Sequence, residues 1–281
     1  MSAIIETPKA DLYRFGWRDV TTTMPDGTVR TKRVALTLKD CLHPLEGDHI
    51  VHGSDHPAII RYLVTVLENH LYDKDAGALV TDDMGVYWDD PELDHHSPDI
   101  GVFFGVRDRD RYRPSFKVAA EELKPTVIIE VVSHNVRVND VETKVDHYHR
   151  LEIPYYIIVD QKTEGGRRTL VGYRYSPTGY APLPTDNRGR IWIEPLNVWI
   201  EAKGRSVVCY DGATNEPLPG PNEIPRIIER EAARVEMERV RAEKEKTRAD
   251  EERINAEQEK TRADAAEARI RELEAKLAAN S

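Results

Sequence analysis

Two runs of β-branched and aromatic residues constrain the fold more than any other feature of the 281-residue sequence. Residues 126–132 are nearly all Val, Ile and Thr, and residues 155–159 consist of Tyr, Ile and Val. Strands of this composition are typically buried on both faces of a sheet. A helical pattern begins between them at Asn139 or Asp140 and ends before Pro154. Strand, helix and strand in this order predict a right-handed crossover between two parallel strands.

The flanking sequence predicts a mixed sheet with helices and a separate N-terminal hairpin. Residues 13–20 and 29–38 favour strands, and Pro-Asp-Gly at residues 25–27 favours a turn between them. A short helical turn is predicted at residues 37–42, and the apolar periodicity of residues 56–71 predicts an amphipathic helix. Further strands are predicted at residues 78–81, 86–88, 100–104, 169–175, 190–193, 198–201 and 207–210.

The tail that begins at Arg226 contains neither Pro nor Gly, and it predicts one long charged helix. Acid–base pairs three residues apart recur along it, and each supports a helix by roughly 0.2–0.5 kcal/mol. Apolar residues recur every seven positions, but the second core position is mostly Glu. A coiled coil is therefore plausible only around Ile270, Leu273 and Leu277. A homodimer through this region, a protein partner and a lone solvated helix are all compatible with the pattern.

The charge balance argues against nucleic-acid binding through net charge alone. The chain has 40 basic and 50 acidic residues, of which 26 and 35 precede Arg226. The two cysteines, Cys41 and Cys209, form neither a zinc-ligand pattern nor a disulfide framework. Residues 1–9 lack the features of a secretory signal, and no apolar stretch approaches membrane-spanning length. We therefore expect a cytoplasmic protein without a membrane segment.

Two acids near apolar strands are the strongest candidates for chemistry. Asp99 follows Pro98 at the start of a predicted strand, and Glu130 lies inside the buried run. If the strands are neighbours, both carboxylates could bind one Mg²⁺ or Mn²⁺ ion, with the main-chain carbonyl of Val131 as a further ligand. Asp99 alone would more often form a turn after proline. Glu130 needs a partner when buried, and a salt bridge with Lys144 is the alternative to a metal.

Three residues that follow the strand of Glu130 complete the candidate site. Lys144 could position an attacking water or stabilise a phosphodiester transition state. Asp140, one helical turn earlier, could orient that ammonium, although a helix-capping role is favoured. His134, just beyond the strand, could lie near the metal. Arg and Asp alternate between residues 107 and 113, and this loop could touch phosphates, but local ion pairs on the surface are favoured.

Taken in order, these segments resemble the Uma2 family, a branch of the restriction-endonuclease-like PD-(D/E)xK superfamily. The matching segments are Ser97-Pro98-Asp99-Ile100, Ile129-Glu130-Val131-Val132-Ser133, Asp140 with Lys144, and Ile153-Pro154-Tyr155-Tyr156-Ile157-Ile158-Val159-Asp160.

The resemblance spans roughly residues 37–219 and implies an α+β fold, in which helices flank a mixed sheet. It also implies that Asp99 and Glu130 bind the metal and that Lys144 is the catalytic lysine. The superfamily lysine usually lies two residues after the acid, where this chain has Val132, so the following helix supplies it here. Many relatives have Pro where this chain has His134.

We therefore expect three parts: an N-terminal hairpin extension (1–36), a Uma2-like nuclease-fold domain (37–222) and a charged helix (223–281). The expected function is metal-dependent hydrolysis of DNA phosphodiester bonds by an endonuclease. One alternative is a non-catalytic protein that keeps the nuclease fold and binds partners through its C-terminal helix. The other is a metal-dependent hydrolase of a different phosphate ester.

Overall fold

The computed structural model describes residues 11–279 except residues 73, 76 and 94, and it leaves out the side chains of residues 276–279. The described residues therefore exclude part of the predicted N-terminal extension (1–10) and the end of the predicted charged helix (280–281). The side chain of Leu277 also lies outside them. The strands are β1 (Gly16–Thr23), β2 (Val29–Ala35), β3 (Asp48–Ile50), β4 (Leu79–Asp82), β5 (Val86–Tyr87), β6 (His95–His96), β7 (Ile100–Phe103), β8 (Phe116–Lys117), β9 (Val127–Val131), β10 (Tyr155–Asp160), β11 (Thr169–Arg174), β12 (Ala181–Pro182), β13 (Ile191–Ile193), β14 (Val198–Lys203) and β15 (Ser206–Asp211). The helices are α1 (Leu38–Leu42), α2 (His56–Tyr72), α3 (Val118–Glu121), α4 (Lys144–Arg150) and α5 (Ile224–Ala279), with 3₁₀ turns at His134–Val136 and Glu194–Leu196 and a π-helical turn at Asn139–Thr143.

A six-stranded mixed sheet with the order β12-β11-β10-β9-β7-β4 forms the centre of the fold. The strands β9 and β10 are parallel, as the order strand, helix, strand predicts, and the other pairs in this sheet are antiparallel. All side chains of β9 and β10 are buried because both faces of the sheet are covered. The α+β class expected from the sequence is confirmed.

Alternation along β9 decides which face receives its one charged side chain. Val127, Ile129 and Val131 join the cluster that contains the apolar face of α2. Ile128 and Val132 point to the opposite cluster, which includes Tyr148 of α4. Because successive side chains on a strand alternate between faces, Glu130 shares the face of Ile128 and Val132. The sheet therefore directs Glu130 toward α4.

Three smaller sheets have the orders β2-β1-β3, β6-β5-β8 and β13-β14-β15. The last of these packs on the α2 side of the central sheet through Ile191, Ile200 and Cys209. The hydroxyl of Tyr62 in α2 accepts a hydrogen bond from the N–H of Cys209 at 3.0 Å. Thus α2 lies between two sheets, which fixes its position relative to β9.

The chain divides into two compact units after Pro221. The second unit consists chiefly of α5, a helix of 56 residues. Every side chain of α5 from position 225 to position 275 is exposed. None of the described helices combines the length and the apolar character that a bilayer span requires.

Candidate active site

Asp99 and Glu130 approach each other at the junction of β7 and β9. These antiparallel strands pair Ile100 with Ile129, which places Asp99 beside the Glu130–Val131 peptide. The N–H of Val131 donates to Asp99 Oδ2 at 2.7 Å, and the N–H of Asp99 lies 3.4 Å from Glu130 Oε2. The two predicted metal ligands are therefore brought together by sheet pairing.

Lys144 extends from the first residue of α4 to two buried carboxyl groups. Its Nζ lies 2.9 Å from Glu130 Oε1 and 2.8 Å from Asp140 Oδ1. All three side chains are almost completely inaccessible to solvent. The sequence-based alternative of a Glu130–Lys144 salt bridge is therefore present, and Asp140 belongs to the same network.

The backbone before α4 explains how Asp140 reaches this network. The predicted continuous helix from Asn139 or Asp140 is instead a π-helical turn followed by α4. The residue before that turn is Val138, and it provides no side-chain cap. The favoured capping role of Asp140 is thus wrong, because its carboxylate pairs with Lys144 rather than with a backbone N–H. The wide turn is held in place where Tyr156 Oη donates to the carbonyl of Asp140 at 2.7 Å.

Burial dominates the electrostatics of this network. It raises the pKa of Glu130 to about 8, although the neighbouring Lys144 acts in the opposite direction. Burial likewise raises the pKa of Asp140 against the influence of Lys144. For Lys144, burial opposes the charged form, but Asp140 and Glu130 outweigh it and the pKa lies well above its ordinary value. The ammonium is therefore the permanent charge of the cluster.

His56, at the start of α2, is a member of the site that no sequence pattern marks. Its Nε2 lies 3.3 Å from Asp99 Oδ2, and His52 stacks on its ring with the centroids 4.0 Å apart. Burial would raise the pKa of Asp99, but His56, Lys144 and the N–H of Val131 together lower it. Burial also lowers the pKa of His52 to about 4, so that its ring is neutral at pH 7.

A contact between buried His96 and half-buried His147 links the segment before Asp99 to α4. Trp88 Nε1 donates to Nδ1 of His96 at 2.7 Å, so the ring proton of His96 is on Nε2. That Nε2 lies 3.0 Å from Nδ1 of His147. Burial lowers the pKa of His96 to about 2. This neutral pair fixes the spacing between the strand that leads to Asp99 and the helix that carries Lys144.

Two other candidates from the sequence are His134 and the loop of residues 107–113. His134 is exposed in the 3₁₀ turn that follows β9. Arg113 is buried within the loop of residues 107–113, where its guanidinium donates to the carbonyls of Arg107, Asp108 and Arg111 and to Glu121. The favoured interpretation of this loop, local ion pairing, agrees with these bonds.

The acidic centre has the donor chemistry of a divalent-cation site, although its side chains are bonded to one another. Within the described residues, no three His, Cys, Asp or Glu side chains converge with metal-ligand geometry. However, three carboxyl groups, from Asp99, Glu130 and Asp140, surround the single ammonium of Lys144. Burial is the main cause of the raised pKa of Glu130, and the neighbouring carboxylates of Asp99 and Asp140 act in the same direction. Oxygen ligands and unbalanced negative charge both suit Mg²⁺ or Mn²⁺.

Comparisons with known proteins identify the family of the chain. A crystal structure described as a "putative nuclease belonging to DUF820" from Anabaena variabilis is 13% identical in sequence, with a TM-score of 0.39 over 63% of this chain and 82% of the other. A search of curated proteins gives no match. The model of the Uma2 family, described as "Putative restriction endonuclease", matches residues 45–203, more than half of the sequence. This match contains Asp99, Glu130, Asp140 and Lys144, and the chain belongs to the Uma2 family.

Proposed function

We propose that this protein is a metal-dependent endonuclease that hydrolyses phosphodiester bonds in DNA. The observation that carries the proposal is the buried contact of Lys144 with Glu130, next to Asp99, inside a nuclease-family domain. In this proposal Asp99, Glu130 and the carbonyl of Val131 bind Mg²⁺ or Mn²⁺. The bound ion would supply a water of lowered pKa and neutralise charge on the phosphodiester.

The side chains have separate roles in this proposal. Asp140 holds the Lys144 ammonium, which positions the attacking water or stabilises negative charge on the phosphate. His56 and the N–H of Val131 both contact Oδ2 of Asp99 and restrain its carboxylate. Tyr148 donates to Glu130 Oε1 at 3.0 Å and limits rotation of that carboxyl group. We place the protein in the cytoplasm, where its two buried free thiols, Cys41 and Cys209, would stay reduced.

The test compares purified wild type with Asp99→Asn and Glu130→Gln on supercoiled, linear and single-stranded DNA, with Mg²⁺ or Mn²⁺. Glu201→Gln serves as a matched control because its carboxylate lies in β14 and bonds Tyr210 and Arg188. We expect cleavage by wild type and the control, with a loss of at least a hundredfold in the two site variants. Titration calorimetry with Mn²⁺ should show the same ranking without catalysis. Equal cleavage by all four proteins would contradict the proposal.

A non-catalytic scaffold is the second candidate function. It is favoured because the carboxyl oxygens of Glu130 already have partners within the protein. Its carboxyl group contacts Lys144, the Tyr148 hydroxyl and the Asp99 N–H, as a structural ion-pair network would. A scaffold function predicts that the protein neither binds Mn²⁺ nor cleaves DNA. It also predicts a protein partner whose binding is lost when α5 is removed. A panel of phosphate monoesters and nucleotides in the same assay tests hydrolysis of a different phosphate ester.

A further inference from the structure

The hairpin β1–β2 lies N-terminal to the family match and takes no part in the acidic centre. Seven residue pairs join its strands, from Trp17 with Ala35 to Thr23 with Val29. Beyond Arg18, the side chains of β1 are exposed, and those of β2 are exposed up to Ala35. A two-stranded ribbon without packing on either face is marginally stable in water. A partner that covers one face of such a ribbon would stabilise it.

The two faces of the hairpin differ in charge. Directly paired residues lie on the same face of an antiparallel ribbon. One face carries the Asp19–Arg33 ion pair at 3.0 Å and the Thr21–Thr31 hydroxyl contact at 3.2 Å, so its charges cancel. The other, which we call the basic face, contains no acid; it consists of Arg18, Val20 and Thr22 from β1 with Arg30, Lys32 and Val34 from β2.

Two cations of the basic face are available to a partner. Arg18 is held at the root by Asp48, with Nε 2.6 Å from Oδ1. Arg30 and Lys32 are exposed, and neither makes an ion pair within the described part of the chain. Residues 14–36 contain five basic and two acidic residues, in contrast to the net acidity of the whole chain. The hairpin is therefore a local cationic surface.

The root of the hairpin is anchored beside the acidic centre. Asn135 Nδ2 donates to the carbonyl of Arg14 at 3.0 Å, and Val136 packs with Leu36 and Cys41. Asn139 Nδ2 donates to the carbonyl of Leu38 at 2.9 Å. The residue that follows Asn139 is Asp140, the partner of Lys144. The segment that carries the acidic network thus also supports the base of the hairpin.

We propose that the basic face of the hairpin binds duplex DNA by entering its major groove, next to the acidic centre. The major groove admits a two-stranded ribbon, and phosphates on its rims complement Arg30 and Lys32. Val20 and Val34 provide apolar contacts of the kind that thymine methyl groups accept. This inference rests on the proposed nuclease function, and it makes duplex DNA the substrate class.

Charged side chains on the edge strand β2 have an alternative explanation. Lys and Arg on an edge strand prevent pairing with a second copy of the same strand. That role predicts that neutral substitutions cause dimerisation or aggregation without changing affinity for DNA. The two explanations therefore differ in what is measured.

The experiment measures binding of a fluorescein-labelled 24-base-pair duplex by anisotropy, in EDTA, between 50 and 200 mM salt. The test variant is Arg30→Ser/Lys32→Ser in the full chain. The matched control is Arg107→Ser/Lys117→Ser, which removes two exposed cations from the segment that follows β7 and leads into α3. Because each phosphate contact adds about 0.9 to the salt slope, the test variant should lower the slope by about two and weaken binding about tenfold or more at low salt. The control should match wild type.

Several outcomes overturn the inference and leave the proposed function intact. Equal losses of DNA affinity in both double variants would mean that binding depends on general electrostatics. Unchanged affinity in the test variant would mean that the hairpin does not contact DNA. Self-association of the test variant at unchanged affinity, measured by size-exclusion chromatography with light scattering, would establish edge protection instead. Preference of wild type for single-stranded DNA would also overturn it. The cleavage comparison with Asp99→Asn decides the proposed function separately, and tryptophan fluorescence melts verify that each variant is folded.

Discussion

Lys144 is the shared partner of two buried carboxyl groups, so its removal has a larger effect than the loss of one contact. In Lys144→Met, Glu130 and Asp140 face each other without the ammonium that lies within 3 Å of both. Removing one partner of a buried ion pair typically destabilises a protein by about 3–5 kcal/mol. We expect a loss of that size in urea unfolding, followed by tryptophan fluorescence at pH 7. The triple variant Lys144→Met/Glu130→Gln/Asp140→Asn should recover most of it, and failure to recover would mean that packing of the lysine stem matters more than charge.

The raised pKa of Glu130 predicts a pH dependence of stability with a definite sign. An acid with a higher pKa in the folded state favours folding when protonated, so its contribution is complete below the unfolded pKa near 4.5 and is lost as pH rises toward about 8. Asp99 acts oppositely, because its pKa is lowered and its contribution is lost in acid. Glu130→Gln should therefore flatten the decrease in unfolding free energy between pH 5 and 8, measured in EDTA. Parallel curves for variant and wild type would show that Glu130 titrates alike in both states.

The charged residues of the centre could be predicted from sequence for a specific reason. Glu130 interrupts a run of Val and Ile, where an isolated charge is expensive, and Lys144 begins the next helix. His56 carries no such signal, because its approach to Asp99 depends on where α2 packs against the sheet. The role of Asp140 was mistaken since capping and ion pairing share one sequence pattern. Only the backbone of the π-helical turn distinguishes them.

At the scale of elements, the turn before α4 depends on one buried amide. Asn139 Nδ2 donates to the carbonyl of Leu38, and Asn69 makes an equivalent bond to the carbonyl of Thr65 on the exposed face of α2. Asn139→Ala leaves a carbonyl unsatisfied and should destabilise the protein by about 1–3 kcal/mol. Asn69→Ala is the matched control and should stay within about 0.5 kcal/mol, since alanine favours a helix. Equal values in urea unfolding would show that the Asn139 bond does not hold the turn.

Elements were predictable from sequence where neighbouring residues determine them, and not where distant parts of the chain do. Parallel pairing of β9 and β10 was predictable because a crossover helix lies between two buried strands. The hairpin was predictable from its Pro-Asp-Gly turn, although β1 lies three residues later than the predicted strand and β2 ends three residues earlier. The short strands β5, β6 and β8 form a sheet through two-residue pairings, and nothing in their composition specifies those partners. Such contacts come from the surrounding fold rather than from propensity.

At the scale of the whole molecule, α5 is the part whose purpose is least determined by its family. The family match ends at residue 203, and α5 forms its own compact unit. Ion pairs between residues three or four apart, such as Arg269 with Glu272, support it as a single helix. Exposed charge from position 225 to position 275 explains why the helix could be predicted from sequence, whereas its oligomeric state could not.

The apolar residues near the end of α5 lead to the last prediction. Ile270 and Leu273 are 55% and 47% exposed, and they lie three residues apart on one face. A short apolar seam preceded by alanine layers should give weak, concentration-dependent self-association. Light scattering of the full chain between 5 and 200 μM should show the average mass rising with concentration.

Ile270→Glu/Leu273→Glu should abolish that rise, because charges would face each other across the seam. Ile254→Glu is the control, since Ile254 is similarly exposed at 51% but lies off the seam. A monomer at every concentration would contradict the prediction and leave α5 as a lone helix or a binding site for another protein.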